Sequence, residues 1–204
     1  LWFVIFGYFL NSLYADRRDR SIFFWKSMPV SDSITVFSKL LTGLWLVPVF
    51  YFFCVAVLQV AALVVLAFVT IGTETSMGQT IWGLGSLFSN WIQYIGAWLF
   101  YSLWAMPFFG WLILVSAYSK SVPVVWVVAI PSGVALIEKM VIGQSVFADW
   151  IWNHSVPMSF IDMVQSNSDV FWNQALSLQM ASAILVGGIL IAITIRLRGR
   201  VNEI

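Results

Sequence analysis

Three stretches of this chain contain no Asp, Glu, Lys or Arg: residues 40–73, 75–119 and 170–195. Each exceeds the roughly 20 apolar residues that cross about 30 Å of hydrocarbon as a helix. Inside a bilayer every backbone amide and carbonyl must be satisfied by the protein itself, so a span is either a helix or part of a closed barrel. A barrel needs segments of about ten residues that alternate apolar and polar. Residues 55–69, VAVLQVAALVVLAFV, do not alternate. The expected fold is therefore all-α, a polytopic transmembrane helical bundle forming a single domain over residues 1–204. Composition agrees, since 61% of the residues are hydrophobic, 9% are charged and the mean hydropathy is +0.91. A soluble domain of this size has too little polar surface in such a balance to cover itself.

Several function classes drop out on composition. A formal net charge of +1 offers no field for nucleic acid. The single cysteine, Cys54, has no disulfide partner and reads as a small apolar side chain. His154 is the sole histidine, which leaves no His-based metal cluster. A Ser/His/Asp hydrolase would need His154 with Asp149 or Asp162, all from one connection, and no nucleophile elbow accompanies them. No G-x-x-x-x-G-K-[ST] loop is present to cradle ATP phosphates. The expectation is no catalytic, cofactor-binding or metal-binding residue, with a membrane enzyme built on His154 as the reading to test against it. Asn153-His154-Ser155 matches a glycosylation sequon, a weak signal at three residues.

Five apolar segments are expected, at about 1–13, 40–71, 95–118, 122–142 and 175–195. Residues 1–13 lack a basic leader and a cleavage site, so they read as part of a span rather than as a signal peptide. The connections alternate in charge. Arg17, Arg18, Arg20, Lys26 and Lys39 follow the first segment, Lys120 lies in 119–123, and Arg196, Arg198 and Arg200 lie after the last segment. Residues 72–94 and 143–174 have no Lys or Arg. Simple alternation of five spans puts nine of the ten basic residues on one side, all but Lys139. The positive-inside rule makes that side cytoplasmic, with the C-terminus inside and Leu1 at the outer face.

Within this frame, Pro48, Pro107 and Pro131 each remove a backbone hydrogen bond inside an apolar run and predict kinks. Ala183, Gly187, Gly188 and Ala192 would let another helix approach the last span closely. The connection 143–174 mixes aromatic residues with Asp149, His154, Asp162 and Asp169, which predicts one or two short helices at the outer leaflet, the second capped by Ser168 or Asp169. Residues 72–94 read similarly. Glu138 is the acidic residue placed within an apolar segment, where a carboxylate costs a few kcal/mol unless paired or hydrated, and it is a candidate for a substrate path or gate. Lys139 follows it at once, and the pair can equally lie in water at the outer end of the span.

Residues 14–39, YADRRDRSIFFWKSMPVSDSITVFSK, hold eight of the nineteen charges. Arg17, Arg18 and Arg20 alternate with Asp16 and Asp19, an apolar block from Ile22 to Trp25 follows, and Lys26 precedes a break at Pro29. Ser31 or Asp32 is the expected N-cap of the next helix, which starts near Ile34. Physics alone reads a short interfacial helix at the cytoplasmic face, an anchor of basic side chains on lipid headgroups.

The order of residues adds to that. ADRRDRSIFFWKSMPVSD, with SKLLTG after it, resembles the motif region of type-2 ABC exporter permeases, E/D-R-R-D-R-S-I-x-F-W-K-S-x-P-V-S-D. Arg17, Arg18, Asp19, Arg20, Ser21, Phe24, Trp25, Lys26, Ser27, Pro29, Ser31 and Asp32 match, and Asp16 takes a position that is often glutamate. The resemblance implies that 14–32 is a cytoplasmic coupling helix docking on a separate ATPase subunit, through Arg17, Arg18, Asp19, Arg20, Phe24, Trp25, Lys26, Pro29 and Asp32. It implies six spans, of which five are present and the first, N-terminal one is missing, with short outer-face helices within 143–174. It further implies a second permease copy or related permease as partner, membrane lipid around it, a bacterial cytoplasmic (inner) membrane, and ATP and Mg bound by the partner rather than here. The function implied is export of a hydrophobic or amphipathic substrate by alternating access. The alternative is a stand-alone channel or assembly scaffold with a basic interfacial anchor.

Overall fold

The computed structural model describes residues 1–70, 77–155 and 177–200, and for residues 23, 25, 26, 70 and 77–88 the backbone alone. Helix α1 (Trp2–Arg18) is followed by the short α2 (Ile22–Ser27) and by α3 (Asp32–Leu41), which continues through one π-helical turn (Thr42–Leu46) into α4 (Val47–Thr70). Then come α5 (Met77–Trp104), α6 (Met106–Tyr118), α7 (Pro123–Ile142), α8 (Val146–Ser155) and α9 (Leu178–Arg200). No strand occurs among the described residues, so the all-α expectation holds. Asp32–Val69, Pro123–Ile142 and Leu178–Arg200 are each long and apolar enough to cross a membrane, and Ser89–Trp104 with Met106–Tyr118 makes a fourth if a pair bent by 61° is one span. These are the helices of a multi-pass membrane protein.

The bend falls beside Pro107, where a kink was expected, and the length of α5 corrects another expectation. Residues 95–118 are not simply preceded by a connection; α5 runs back to Met77 through most of 72–94, and the chain breaks at Ala105 (φ −87°, ψ 12°). Pro107 explains the site of the break. It lacks an amide and sits in the first turn of α6, where that amide would have no intrahelical partner anyway. No proline lies between Met77 and Trp104 to stop α5 earlier. The expected caps Ser168 and Asp169, with Asp162, lie outside the described residues.

Helix α6 is the centre of the bundle. Phe109, Gly110, Leu112, Ile113, Val115, Ser116 and Ala117 are all buried, which leaves it only a narrow outer stripe, with Phe108, Trp111 and Leu114 partly exposed and Tyr118 exposed. On one side it receives Ile5, Phe9 and Leu13 of α1, four residues apart and hence on one helical face. On another it crosses α9, whose buried residues Met180, Ala183, Gly187, Ile191, Thr194 and Arg198 repeat at three- and four-residue spacing. The crossing is close. A Cβ on Gly187 would lie 2.8 Å from the backbone of Met106, and one on Gly110 would lie 3.2 Å from the Gly187 carbonyl oxygen. Gly188 and Ala192 face outward instead, so only half of the small residues in the last span serve this contact.

Two prolines sit inside spans, and the bundle answers each in the same way. Pro48 cannot donate to the carbonyl of Leu44, four residues back; the indole Nε1 of Trp98 on α5 donates to that oxygen at 2.7 Å. Pro131 leaves the carbonyl of Val127, which receives the indole Nε1 of Trp111 on α6 at 3.3 Å. The π turn just before Pro48 widens the helix where the proline ring would otherwise press on the preceding turn. In hydrocarbon an orphan carbonyl has no water to turn to, so a neighbouring helix must supply the donor.

Candidate functional site

Four helix termini meet at one end of the bundle: the C-terminal ends of α1, α6 and α9 and the N-terminal end of α3. The inward face of α3 carries Asp32, Val36, Lys39 and Leu40. Lys39 Nζ lies 2.7 Å from Asp16 Oδ2 at the end of α1 and also donates to the Ser12 carbonyl. Arg198, on the last turn of α9, donates from Nε to Asp32 Oδ1 at 3.0 Å and reaches Asp16 Oδ2 with Nη1 at 3.5 Å. The result is an alternating chain of charges, Lys39, Asp16, Arg198, Asp32, that binds α1, α3 and α9 together. It is well covered, with only 4% of the Arg198 side chain and 12% of the Asp16 side chain exposed. A buried ion pair adds little net stability, but deleting one member strands the other and costs about 3–5 kcal/mol.

Arg17 makes the fourth connection. Its Nη2 donates to the carbonyls of Ser116 (3.1 Å) and Ser119, and Nη1 to that of Tyr118 at 3.5 Å, so a guanidinium caps the C-terminal end of α6 where the helix dipole is negative. Ser116 returns the contact, its Oγ accepting from the amides of Leu13 and Tyr14 at 3.0 Å each. Burial lowers the pKa of the Arg17 guanidinium, whereas the hydrogen bond from Arg18 to Asp19 raises that of Arg18. Both remain cationic at neutral pH.

The sequence-predicted coupling residues thus divide. Arg17 and Asp32 turn inward and hold the bundle. Arg18, Asp19, Arg20 and Pro29 are exposed, as is Phe24 on α2. The side chains of Trp25 and Lys26 lie outside the described residues. Arg20 adopts φ 58°, the left-handed region that a non-glycine residue enters at a cost of about 1–2 kcal/mol, and this turns the chain sharply from α1 into α2. Ser31 is the N-cap of α3, its Oγ accepting from the Ile34 amide at 3.3 Å, as expected. What sequence reasoning missed is the part played by Asp16, Lys39 and Arg198. Asp16 and Lys39 had a signal in their position, each a charge at the edge of an apolar run, whereas Arg198 lies two residues beyond Arg196, the first charge after its run.

At the opposite end, Glu138 lies in the last turns of α7 and is half-buried. Both of its carboxylate oxygens accept from the Phe147 amide at 3.0 Å, so it caps the start of α8 from the last turns of α7. Helix α8 is held to the break between α5 and α6: Tyr101 Oη donates to the Ser155 carbonyl at 3.1 Å and Trp104 Nε1 to that of Asn153 at 3.0 Å. His154 is buried between the rings of Trp104 and Trp150, at centroid distances of 4.8 and 4.4 Å, with Nδ1 2.7 Å from the Trp150 carbonyl. Asp149 pairs with Ser145 instead, at 3.0 Å. No group of three His, Cys, Asp or Glu among the described residues could hold a metal.

Between α4 and α5 lies a cavity of about 420 Å³, lined by aromatic residues such as Trp45, Phe52, Trp91 and Trp98, with no charged residue in its wall. Its volume falls in the range of small-molecule sites. No family model, curated protein or solved structure matches the chain.

Proposed function

We propose that this chain is the permease subunit of an ATP-driven exporter resembling the type-2 ABC permeases, with five spans and the basic end of the bundle in the cytoplasm. The observation that carries this reading is the mounting of residues 15–32. The stretch whose residue order resembles the family motif projects α2 and the exposed Arg18, Asp19, Arg20 and Phe24, and it is tied at both ends to the membrane bundle, by Arg17 to α6 and by Asp32 to α9. A free interfacial anchor needs no such ties.

In this reading a partner ATPase binds ATP and Mg, closes, and displaces α2; the ties carry the displacement into the spans, and the bundle exchanges inward- and outward-open states. Export of a hydrophobic or amphipathic cargo, such as a drug, lipid or peptide, is supported by the uncharged aromatic cavity between α4 and α5. Glu138 fits a cap better than a gate.

The test is co-purification of the full-length permease with the phosphate-loop ATPase encoded in a neighbouring reading frame. Wild type is expected to form a complex and to stimulate ATP hydrolysis, and Arg18→Glu with Arg20→Glu to weaken association at least about tenfold, because reversing two charges at a docking surface changes complementarity and repels the partner. Unchanged association in the double variant, or no such ATPase partner, returns the chain to a stand-alone channel or scaffold.

A further inference from the structure

We infer that Arg198 is the positioning residue through which movement of the 14–32 segment reaches the last helix and, through it, the centre of the bundle. This rests on the function proposed above and adds to it the route by which force enters the spans.

Asp32 is the first residue of α3 and stands five residues beyond the end of α2. Any displacement of α2 acts on it before it acts on α4, which lies farther along the same continuous helix. The carboxylate of Asp32 is held by Arg198 Nε at 3.0 Å, and Arg198 is anchored on α9 with its side chain almost wholly covered. Being buried, the guanidinium is shielded from water, so losing the carboxylate is costly and favours its moving with Asp32. Asp16 Oδ2 lies at 3.5 Å from Nη1, a long contact beside the short one to Asp32. Arg198 therefore stands between two carboxylates on two elements, bonded tightly to the one nearest the motif and loosely to the one on α1.

Movement of α9 does not stop at its own end. Gly187 seats the helix against the backbone of Met106 with no room for even a methyl group, so α6 and α9 move as a unit. The nearest place for that motion to be absorbed is the 61° break at Ala105, the joint on which Tyr101 and Trp104 hold α8. The route runs from α2 through Asp32 and Arg198 to α9, then α6, then the joint at the far end.

The experiment uses the full-length permease with its ATPase in lipid vesicles, and reads complex formation, the unfolding midpoint and the ratio of permease-stimulated to basal ATP hydrolysis. Arg198→Met and Asp32→Asn are each expected to keep the complex and to lower the stimulation ratio about tenfold, in the upper range of measured effects on coupling between sites. Arg198→Lys is expected to recover most of it. Arg196→Met, exposed on the same helix, is the control and should match wild type. Asp32→Asn leaves the Asp16 pairs in place, so it isolates the motif-to-α9 link even if Arg198→Met lowers stability. Stimulation within about twofold of wild type in both variants overturns the inference while leaving the function standing. So does a loss in Arg198→Met that Arg198→Lys does not restore. A wild-type permease that neither binds nor stimulates the ATPase removes the proposed function and the inference with it.

Discussion

Trp98→Phe should cost more than the packing it removes, and the excess should vanish when Pro48 is replaced by alanine. The indole of Trp98 donates at 2.7 Å to the Leu44 carbonyl, which Pro48 has deprived of its helical partner. Phenylalanine keeps most of the aromatic contact but has no donor, leaving that oxygen unsatisfied among Trp45, Phe52 and Leu99, residues that line the same apolar region. An unsatisfied buried polar group costs about 1–3 kcal/mol. Interhelical hydrogen bonds measured inside membranes average nearer 0.6 kcal/mol because the reference state finds other partners, so about 1 kcal/mol is the expected value here. In the Pro48→Ala background residue 48 regains its amide, Leu44 is satisfied within its own helix, and Trp98→Phe should lose only the packing difference. The four proteins form a double-mutant cycle, read by helical circular dichroism during unfolding in detergent, with a coupling of about 1 kcal/mol and a midpoint difference of about 2–4 °C between backgrounds. A coupling within error of zero would mean that the indole and the carbonyl are neighbours without an energetic bond, and the account of how this bundle tolerates intramembrane proline would fail.

The companion pair, Trp111 and Pro131, is longer at 3.3 Å, so the same cycle should give a coupling about half as large. Gly187→Ala should destabilise by about 1–3 kcal/mol through overpacking against Met106. Gly188→Ala, with nothing within 4 Å of its added methyl, should be neutral or stabilising by up to about 1 kcal/mol; unfolding midpoints in detergent decide both. Glu138→Gln should weaken the cap on α8 by about 1 kcal/mol, seen as roughly fivefold faster hydrogen exchange at the Phe147 amide with little change in the core.

Three of the five expected spans, or four with the bent pair, were legible because an apolar run long enough to cross a bilayer has few alternatives. The N-cap at Ser31 was equally legible, since its hydroxyl, three residues ahead of the Ile34 amide, has one obvious use. The arrangement of the spans was not. Nothing in the composition of residues 106–118 separates a mostly buried helix from one facing lipid broadly, because in a membrane both are apolar. The roles of Asp16, Lys39 and Arg198 were hidden for a related reason. Positive-inside counting treats every basic residue at the edge of a span as an anchor in headgroups, and only the packing of the helix ends reveals which of them turn inward. The cap made by Glu138 was hidden too: a carboxylate within an apolar run suggests a pathway, and the helix N-terminus that it holds depends on the fold of residues 143–146.

Several polar groups in this chain are paired in a way that bears on where the molecule can move. The Leu44 carbonyl is held by Trp98, the Val127 carbonyl by Trp111, the end of α6 by Arg17 and the start of α8 by Glu138. The two neutral indole–carbonyl pairs cannot be traded for water within hydrocarbon, and they make the contacts they join rigid. Charged pairs differ, because Asp16 accepts from two cations and Arg198 donates to two carboxylates. A shift of Arg198 from Asp32 toward Asp16 keeps the guanidinium paired and leaves Asp32, the more exposed of the two carboxylates, to water. The basic end of the bundle is therefore the place where helices can change partners at little cost, and the Trp-stapled centre is the place where they cannot. Conformational change in this fold should begin at the charged end and travel through the stiff middle as displacement, not as local rearrangement.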